Sequence, residues 1–132
     1  MWFFKKLRHP LPKFPQSVIP IFRNGCEVIS YESFEKLSVE MDEKLNRLAE
    51  DPKRDHELQK QINSVCKLLI SAYPDSDEKK KSLIVGAIRY CILNDDAISE
   101  DIFAAGYYDD VKVLNYVLEQ LGIQGAFIHF GH

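Results

Sequence analysis

Six carboxylates lie close together in one stretch of this sequence, between Leu93 and Val111, and no lysine or arginine separates them. Carboxylates at this density repel one another unless helix N-termini, a divalent cation or a basic partner offset their charge. Four tyrosines lie in or beside the stretch, and tyrosine is a frequent anchor residue at protein interfaces. The stretch is therefore the candidate functional region of the chain.

The favoured interpretation is a face that binds a protein partner with a basic surface. Eight residues make up this predicted face: Asp95, Asp96, Glu100, Asp101, Tyr107, Tyr108, Asp109 and Asp110. An immunity or inhibitor protein that blocks a basic, nuclease-like toxin is a concrete form, because inhibitors of nucleic-acid enzymes are often acidic. Nucleic acid itself is not an expected ligand, since proteins that bind it usually carry a basic face.

Two other interpretations of the same acids stay open. Asp96, Glu100, Asp109 and Asp110 offer the carboxylate oxygens that Mg²⁺ or Ca²⁺ prefers, which would make a metal-binding domain or a metal-dependent hydrolase. Alternatively, Asp96 and Asp109 are helix N-caps, with Glu100 and Asp110 near the positive ends of helix dipoles. The sequence has no calcium-loop, nucleophile-elbow or dinucleotide motif. We therefore predict a non-enzymatic protein without a cofactor.

The N-terminal residues indicate a further function, that of a membrane-surface adaptor. Trp2, Phe3 and Phe4 precede Lys5, Lys6 and Arg8, and this combination resembles a short interfacial anchor. No segment approaches the length of a membrane span, so stable insertion is not expected. The three cysteines are far apart and form no Cys-x-x-Cys pair, which is typical of a reducing compartment. We predict a cytoplasmic location.

The length and hydrophobic pattern predict a mainly α protein. A chain of 132 residues with 45% hydrophobic and 28% charged residues is typical of one globular domain. Apolar residues recur at spacings of three and four over 34–48, 58–73, 83–92 and 111–121. A short helix over 100–105, ended by Gly106, would be the fifth. The expected fold is a single-domain bundle of four to five helices.

The ends of the chain differ from its centre. Four prolines in the first 20 residues predict an extended arm over 1–30. Asn24-Gly25, between two short β-prone pieces, predicts a small β-hairpin near 18–30. The helical domain is then 31–122, and a C-terminal strap follows over 123–132. The sequence leaves the oligomeric state open.

The acidic stretch carries a family resemblance over about residues 84–121. Its pattern is Tyr90, Asp96, Ile98, Glu100, Gly106, Tyr107, Asp109 and Asp110. This resembles the YkvA-like bacterial domain family, with a core of Tyr-x-x-Ser-Pro-x-Asp-x-Ile-Pro-Asp and then Gly-Tyr-x-Asp-Asp. Leu93 and Asn94 replace the Ser-Pro pair, Ser99 replaces the second proline, and Glu100 replaces an aspartate. The resemblance implies a helical fold in which Gly106 permits a tight turn and Asp109 and Asp110 cap the last helix. It implies no reaction.

Overall fold

The computed structural model describes residues 7–13, 16–50, 56–97 and 103–129, and for 94–97 and 103–108 it describes the backbone. Within these ranges the chain forms five α-helices and no β-strand. The helices are α1 (Val18–Gly25), α2 (Tyr31–Ala49), α3 (His56–Ala72), α4 (Glu78–Ala97) and α5 (Phe103–Leu121). The mainly α bundle predicted from the sequence is confirmed.

The apolar residues that recur over 34–48 and 58–73 form the buried faces of α2 and α3. On α2 the buried apolar side chains are Phe34, Leu37, Met41, Leu45 and Leu48. The helix begins where the Ser30 hydroxyl accepts a hydrogen bond from the Ser33 amide at 3.1 Å, which satisfies one of the otherwise unpaired amides of its first turn. Phe34 stacks on Tyr73 with ring centroids 3.8 Å apart, so α2 packs against the end of α3.

The central helix is α4, which packs against each of the other four. Its buried residues Ile84, Val85, Ala87, Ile88 and Cys91 are distributed around much of its circumference, as expected for a helix with neighbours on several sides. The helix begins after Asp77, whose carboxylate accepts a hydrogen bond from the Lys80 amide at 2.8 Å.

The hairpin predicted near 18–30 is wrong, because this segment forms α1. Val18 and Phe22 are four residues apart and each only 1% exposed, so burial of one helical face outweighs the local β-signals. Pro20 lies in the first turn, where a helix tolerates proline because the amides there have no intrahelical acceptor. Asn24-Gly25 ends the helix instead of forming a hairpin turn, so extended structure over 18–25 is also wrong.

The short helix predicted over 100–105 is also wrong. Helix α5 begins at Phe103 and continues through Gly106 to Leu121, so Gly106 neither ends a helix nor makes a turn. Helix α5 ends at Leu121, as the apolar periodicity over 111–121 predicts. Gly122 has a φ of +77°, and the Ile123 amide donates to the Leu118 carbonyl at 3.0 Å, which is the bond of a Schellman-type C-cap.

Residues 123–129 lie across α3 and α5 without regular structure. The Asn115 side chain donates to the Ile128 carbonyl at 3.0 Å and accepts the Ile128 amide at 2.8 Å. Gln61 makes the same pair of bonds with His129, at 3.2 and 3.1 Å. These side-chain bonds satisfy backbone amides and carbonyls that regular secondary structure would otherwise pair. Among the described residues, none of the helices has the length and apolar character needed to cross a membrane.

Candidate functional site

Helices α4 and α5 bring part of the acidic stretch to one end of the bundle. Only residues 98–102 separate the two helices, and the charges of Asp109 and Asp110 on α5 act on Tyr90 of α4. Because Tyr90 lies about as far before the connection as these aspartates lie after it, the helices pack antiparallel. The last turn of α4 and the first turns of α5 therefore lie at the same end.

We call this region the acidic end. It comprises the following residues, placed by the backbone positions that they occupy in α4 and α5. Asp95 and Asp96 lie in the last turn of α4, and Tyr107, Tyr108, Asp109 and Asp110 follow the first turn of α5. Glu100 and Asp101, which were predicted to belong to the same face, lie outside the described residues. Six of the eight predicted residues thus meet at the acidic end, although the structure places side chains only for Asp109 and Asp110.

Asp109 and Asp110 are not helix caps. They lie in the interior of α5, whose first residue is Phe103, so the predicted capping role of Asp109 is wrong, as is that of the Asp109-Asp110 pair. Both residues are buried, at 6% and 5% exposure. Little of either side chain is therefore available to a partner, and both residues contribute to the acidic end chiefly through their charge.

The Asp109 carboxyl has a perturbed pKa. Desolvation raises its pKa above the ordinary value of an aspartate, because burial disfavours the charged form. Tyr90, which is 2% exposed, has its pKa raised by desolvation and then by the charges of Asp109 and Asp110. The negative potential of the pair therefore extends across the interface between α4 and α5.

A buried lysine that the sequence interpretation missed lies at the same level of the bundle. Lys44 of α2 is 3% exposed, and its Nζ donates to the carbonyls of Cys91 and, at 2.9 Å, Ile92 on α4. The sequence feature that indicates its burial is its position three residues after Met41 and next to Leu45, among the apolar residues that form the buried face of α2. Lys44 places its positive charge against two carbonyl oxygens in the C-terminal half of α4.

Two buried thiols adjoin this lysine. A hydrogen bond with the Cys66 thiol and then burial raise the pKa of Cys91, with a further contribution from the charge of Asp110. Burial also raises the pKa of Cys26, although Arg23 acts in the opposite direction. A high pKa keeps a thiol protonated and unreactive, so none of these observations favours a cysteine nucleophile.

The alternative metal site stays a prediction. Glu100 lies outside the described residues and the side chain of Asp96 is not described, so half of the proposed ligand set has no geometry. Among the residues whose side chains the structure describes, which exclude 94–97 and 103–108, no three His, Cys, Asp or Glu residues are grouped closely enough to hold a metal ion. Comparisons with family models, curated proteins and solved structures find no match for this chain.

Replacing Asp109 with asparagine should stabilise the protein at neutral pH by on the order of 1 kcal/mol. Because the folded-state pKa of Asp109 is raised, its contribution to stability is fully present below the unfolded-state pKa and is lost as the pH rises through the folded-state pKa. Asparagine is neutral at every pH and avoids that loss. Urea denaturation of both proteins should show a difference at pH 7 that shrinks towards pH 4.

The exposed residue Asp42 on α2 provides the matched control. Asp42→Asn removes the same charge from a solvated position, where substitutions change stability by at most about 0.5 kcal/mol. A constant stability difference between the Asp109→Asn protein and the natural chain across this pH range would contradict the raised pKa.

Proposed function

We propose that this chain is a non-enzymatic protein-interaction module whose acidic end binds a basic partner. The observation that carries the proposal is the antiparallel packing of α4 and α5, which gathers Asp95, Asp96, Tyr107 and Tyr108 at one end of the bundle. The buried charges of Asp109 and Asp110 lie next to them. Clustered negative charge accelerates association with a basic surface and excludes acidic competitors.

The backbone of α4 adds to the negative potential of the acidic end. Its C-terminal turn, which holds Asp95 and Asp96, is the negative end of a helix dipole. No lysine or arginine lies between Arg89 and Lys112 to offset these charges. Lys44 is buried, and its Nζ donates to backbone carbonyls of α4. A basic surface on a partner would offset the negative charge of this stretch.

An immunity or inhibitor protein for a nuclease-like toxin is the specific form that we propose. The phosphate-binding site of a nuclease is basic, and an acidic module can occupy it in place of nucleic acid. A protein of this kind needs no catalytic residues of its own. Tyrosine offers amphipathic contact area at a low cost in conformational entropy, and Tyr107 and Tyr108 directly precede Asp109 and Asp110 in the sequence.

Exchanging Asp95 and Asp96 together for asparagine should weaken binding of a basic partner by about tenfold at low salt and reduce its salt dependence. The experiment is affinity capture from native cytoplasm in low salt, with and without a chelator, and then titration of the captured partner. A nuclease partner should lose its activity when the natural chain is added in stoichiometric amount and keep more of it with the variant.

The matched control removes two charges from a different face. Glu40→Gln with Asp42→Asn alters two exposed residues of α2 and should leave binding unchanged. Equal weakening by both double variants would mean that only net charge matters, which contradicts a specific acidic end. A partner lost on chelation would instead favour the metal site of Asp96, Glu100, Asp109 and Asp110.

A further inference from the structure

A groove separates α3 from residues 125–127 of the C-terminal segment. Its volume is about 530 Å³, which lies within the usual range for ligand sites. Ser64 and Leu68 line its α3 side, and Gly125, Ala126 and Phe127 form the other side. Leu68 and Phe127 are half-buried, whereas Ser64 is exposed. The groove therefore offers apolar contact area at the protein surface.

The two residues that follow the groove are each held by a side-chain carboxamide. Asn115 of α5 donates to the Ile128 carbonyl and accepts the Ile128 amide, and Gln61 of α3 does the same to His129. In extended backbone, the N–H and C=O of one residue point to the same side, and those of the next residue point to the opposite side. The Ile128 backbone groups therefore face α5, and those of His129 face α3.

The same alternation directs the backbone of Phe127 into the groove. Phe127 lies two residues before His129, so its N–H and C=O face α3 as those of His129 do. Ser64, about one turn of α3 after Gln61, lines the groove opposite it. Within the part of the chain that the structure describes, the Phe127 amide and carbonyl have no hydrogen-bond partner. The groove thus contains one backbone donor and one acceptor that a ligand can pair.

The wall that carries these groups is held in place from outside the groove. The His9 ring stacks on Phe127 with centroids 4.1 Å apart. The backbone amides of Arg8 and His9 donate to the Glu119 carboxylate at 2.9 and 2.8 Å, which fixes the position of His9 on α5. A wall that is already ordered lowers the entropic cost of binding a ligand.

We propose that this groove binds an extended peptide segment of a partner protein, one residue of which pairs with the amide and carbonyl of Phe127. A peptide residue presents the same adjacent donor and acceptor that the carboxamides of Asn115 and Gln61 present to the next two residues. Backbone pairing with an exposed extended segment is a common mode of peptide recognition. Apolar side chains of the peptide would contact Leu68 and the Phe127 ring.

The charges of the groove favour a peptide over a polyanion. Glu57 and Lys60 both line it, so its lining carries one charge of each sign and no net charge. An uncharged, amide-bearing ligand complements such a surface, whereas a chain of phosphates would meet a carboxylate. The groove is built from α3 and residues 125–127, so the proposal does not depend on partner binding by the acidic end.

Titration of the isotope-labelled full chain with N-acetyl-leucine N-methylamide, followed by NMR, tests this proposal. This compound carries the N–H and C=O of a single peptide residue with an apolar side chain. We expect a saturable shift of the Phe127 amide resonance. The same compound methylated on the leucine nitrogen has lost the donor to the Phe127 carbonyl and should bind about tenfold more weakly. This comparison uses the natural chain, so it does not depend on the folding of any variant.

A matched pair of variants locates the binding site. Ser64→Trp should fill the groove and abolish binding of N-acetyl-leucine N-methylamide. Ser71→Trp places the same side chain at an exposed position of α3 away from the groove and should leave binding unchanged. Circular dichroism of both variants checks that the bundle is intact.

Three results would overturn the proposal: no saturable shift of the Phe127 amide, equal affinity for the methylated compound, or an equal loss of binding in Ser64→Trp and Ser71→Trp. Saturable binding of inorganic phosphate in the groove, without binding of the amide compound, would also overturn it and indicate an anion site at Lys60. The Asp95 and Asp96 double variant should bind the amide compound normally, so failure of this site and failure of the acidic end are separable.

Discussion

Replacing Gly86 with valine should lower the free energy of unfolding by about 3 kcal/mol, at the upper end of the usual range for overpacking. Gly86 lies where α4 is crossed by α1. A Cβ atom at this position would lie 2.4 Å from the Cys26 Sγ, 3.1 Å from the Phe22 ring and 3.2 Å from the Phe22 carbonyl oxygen. Phe22 is only 1% exposed, so α1 itself must move. Urea denaturation measures the loss.

A double-mutant cycle separates the two contacts at this crossing. Gly86→Ala should destabilise less than Gly86→Val, since alanine adds one methyl group and has the better helix propensity by about 1 kcal/mol. Adding Cys26→Ala removes the sulfur and should restore part of the loss, while the contact with the Phe22 carbonyl remains. A Gly86→Ala protein more stable than the natural chain by the full propensity difference would show that α1 packs loosely.

The crossing at Gly86 also explains why α1 was not predicted. Val18–Phe22 and Cys26–Ser30 are β-prone pieces joined by Asn24-Gly25, and local sequence favours a hairpin there. The outcome depends on a surface of α4 more than 60 residues away, which has no side chain at Gly86 and so admits a helix at close range. A close contact between two distant helices leaves no local sequence pattern. In contrast, α2 and α3 each bury one face, and this produces a periodic pattern of apolar residues that can be read from the sequence.

The candidate site could be predicted only in part, because some of its features also depend on contacts between distant segments. Charge density is a property of sequence, and the acidic stretch was found from it. The passage of α5 through Gly106 depends instead on packing against α3 and α4, which leaves Val111, Val113 and Leu114 at 1% exposure or less. Once α5 begins at Phe103, Asp109 and Asp110 fall in its interior. Their change from predicted caps to buried charges follows from that one shift in helix boundary.

Lys44 was missed because its partners are backbone carbonyls of another helix, 47 and 48 residues away, and no side-chain pattern marks a carbonyl as an acceptor. Replacing Lys44 with alanine should lower the free energy of unfolding by about 2–4 kcal/mol. The substitution removes a buried four-carbon stem and leaves a cavity, and it also removes two hydrogen bonds from a charged donor.

Lys44→Met distinguishes these two causes. Methionine fills most of the same volume and carries no charge, so it loses the hydrogen bonds but avoids the cost of burying an ammonium group. We expect Lys44→Met to fall within about 1 kcal/mol of the natural chain, because the two effects largely offset each other. Lys36→Ala, at an exposed position of the same helix, should change stability by at most about 0.5 kcal/mol. If methionine is as damaging as alanine, the hydrogen bonds to α4 dominate. If alanine is as harmless at position 44 as at position 36, Lys44 is not part of the core.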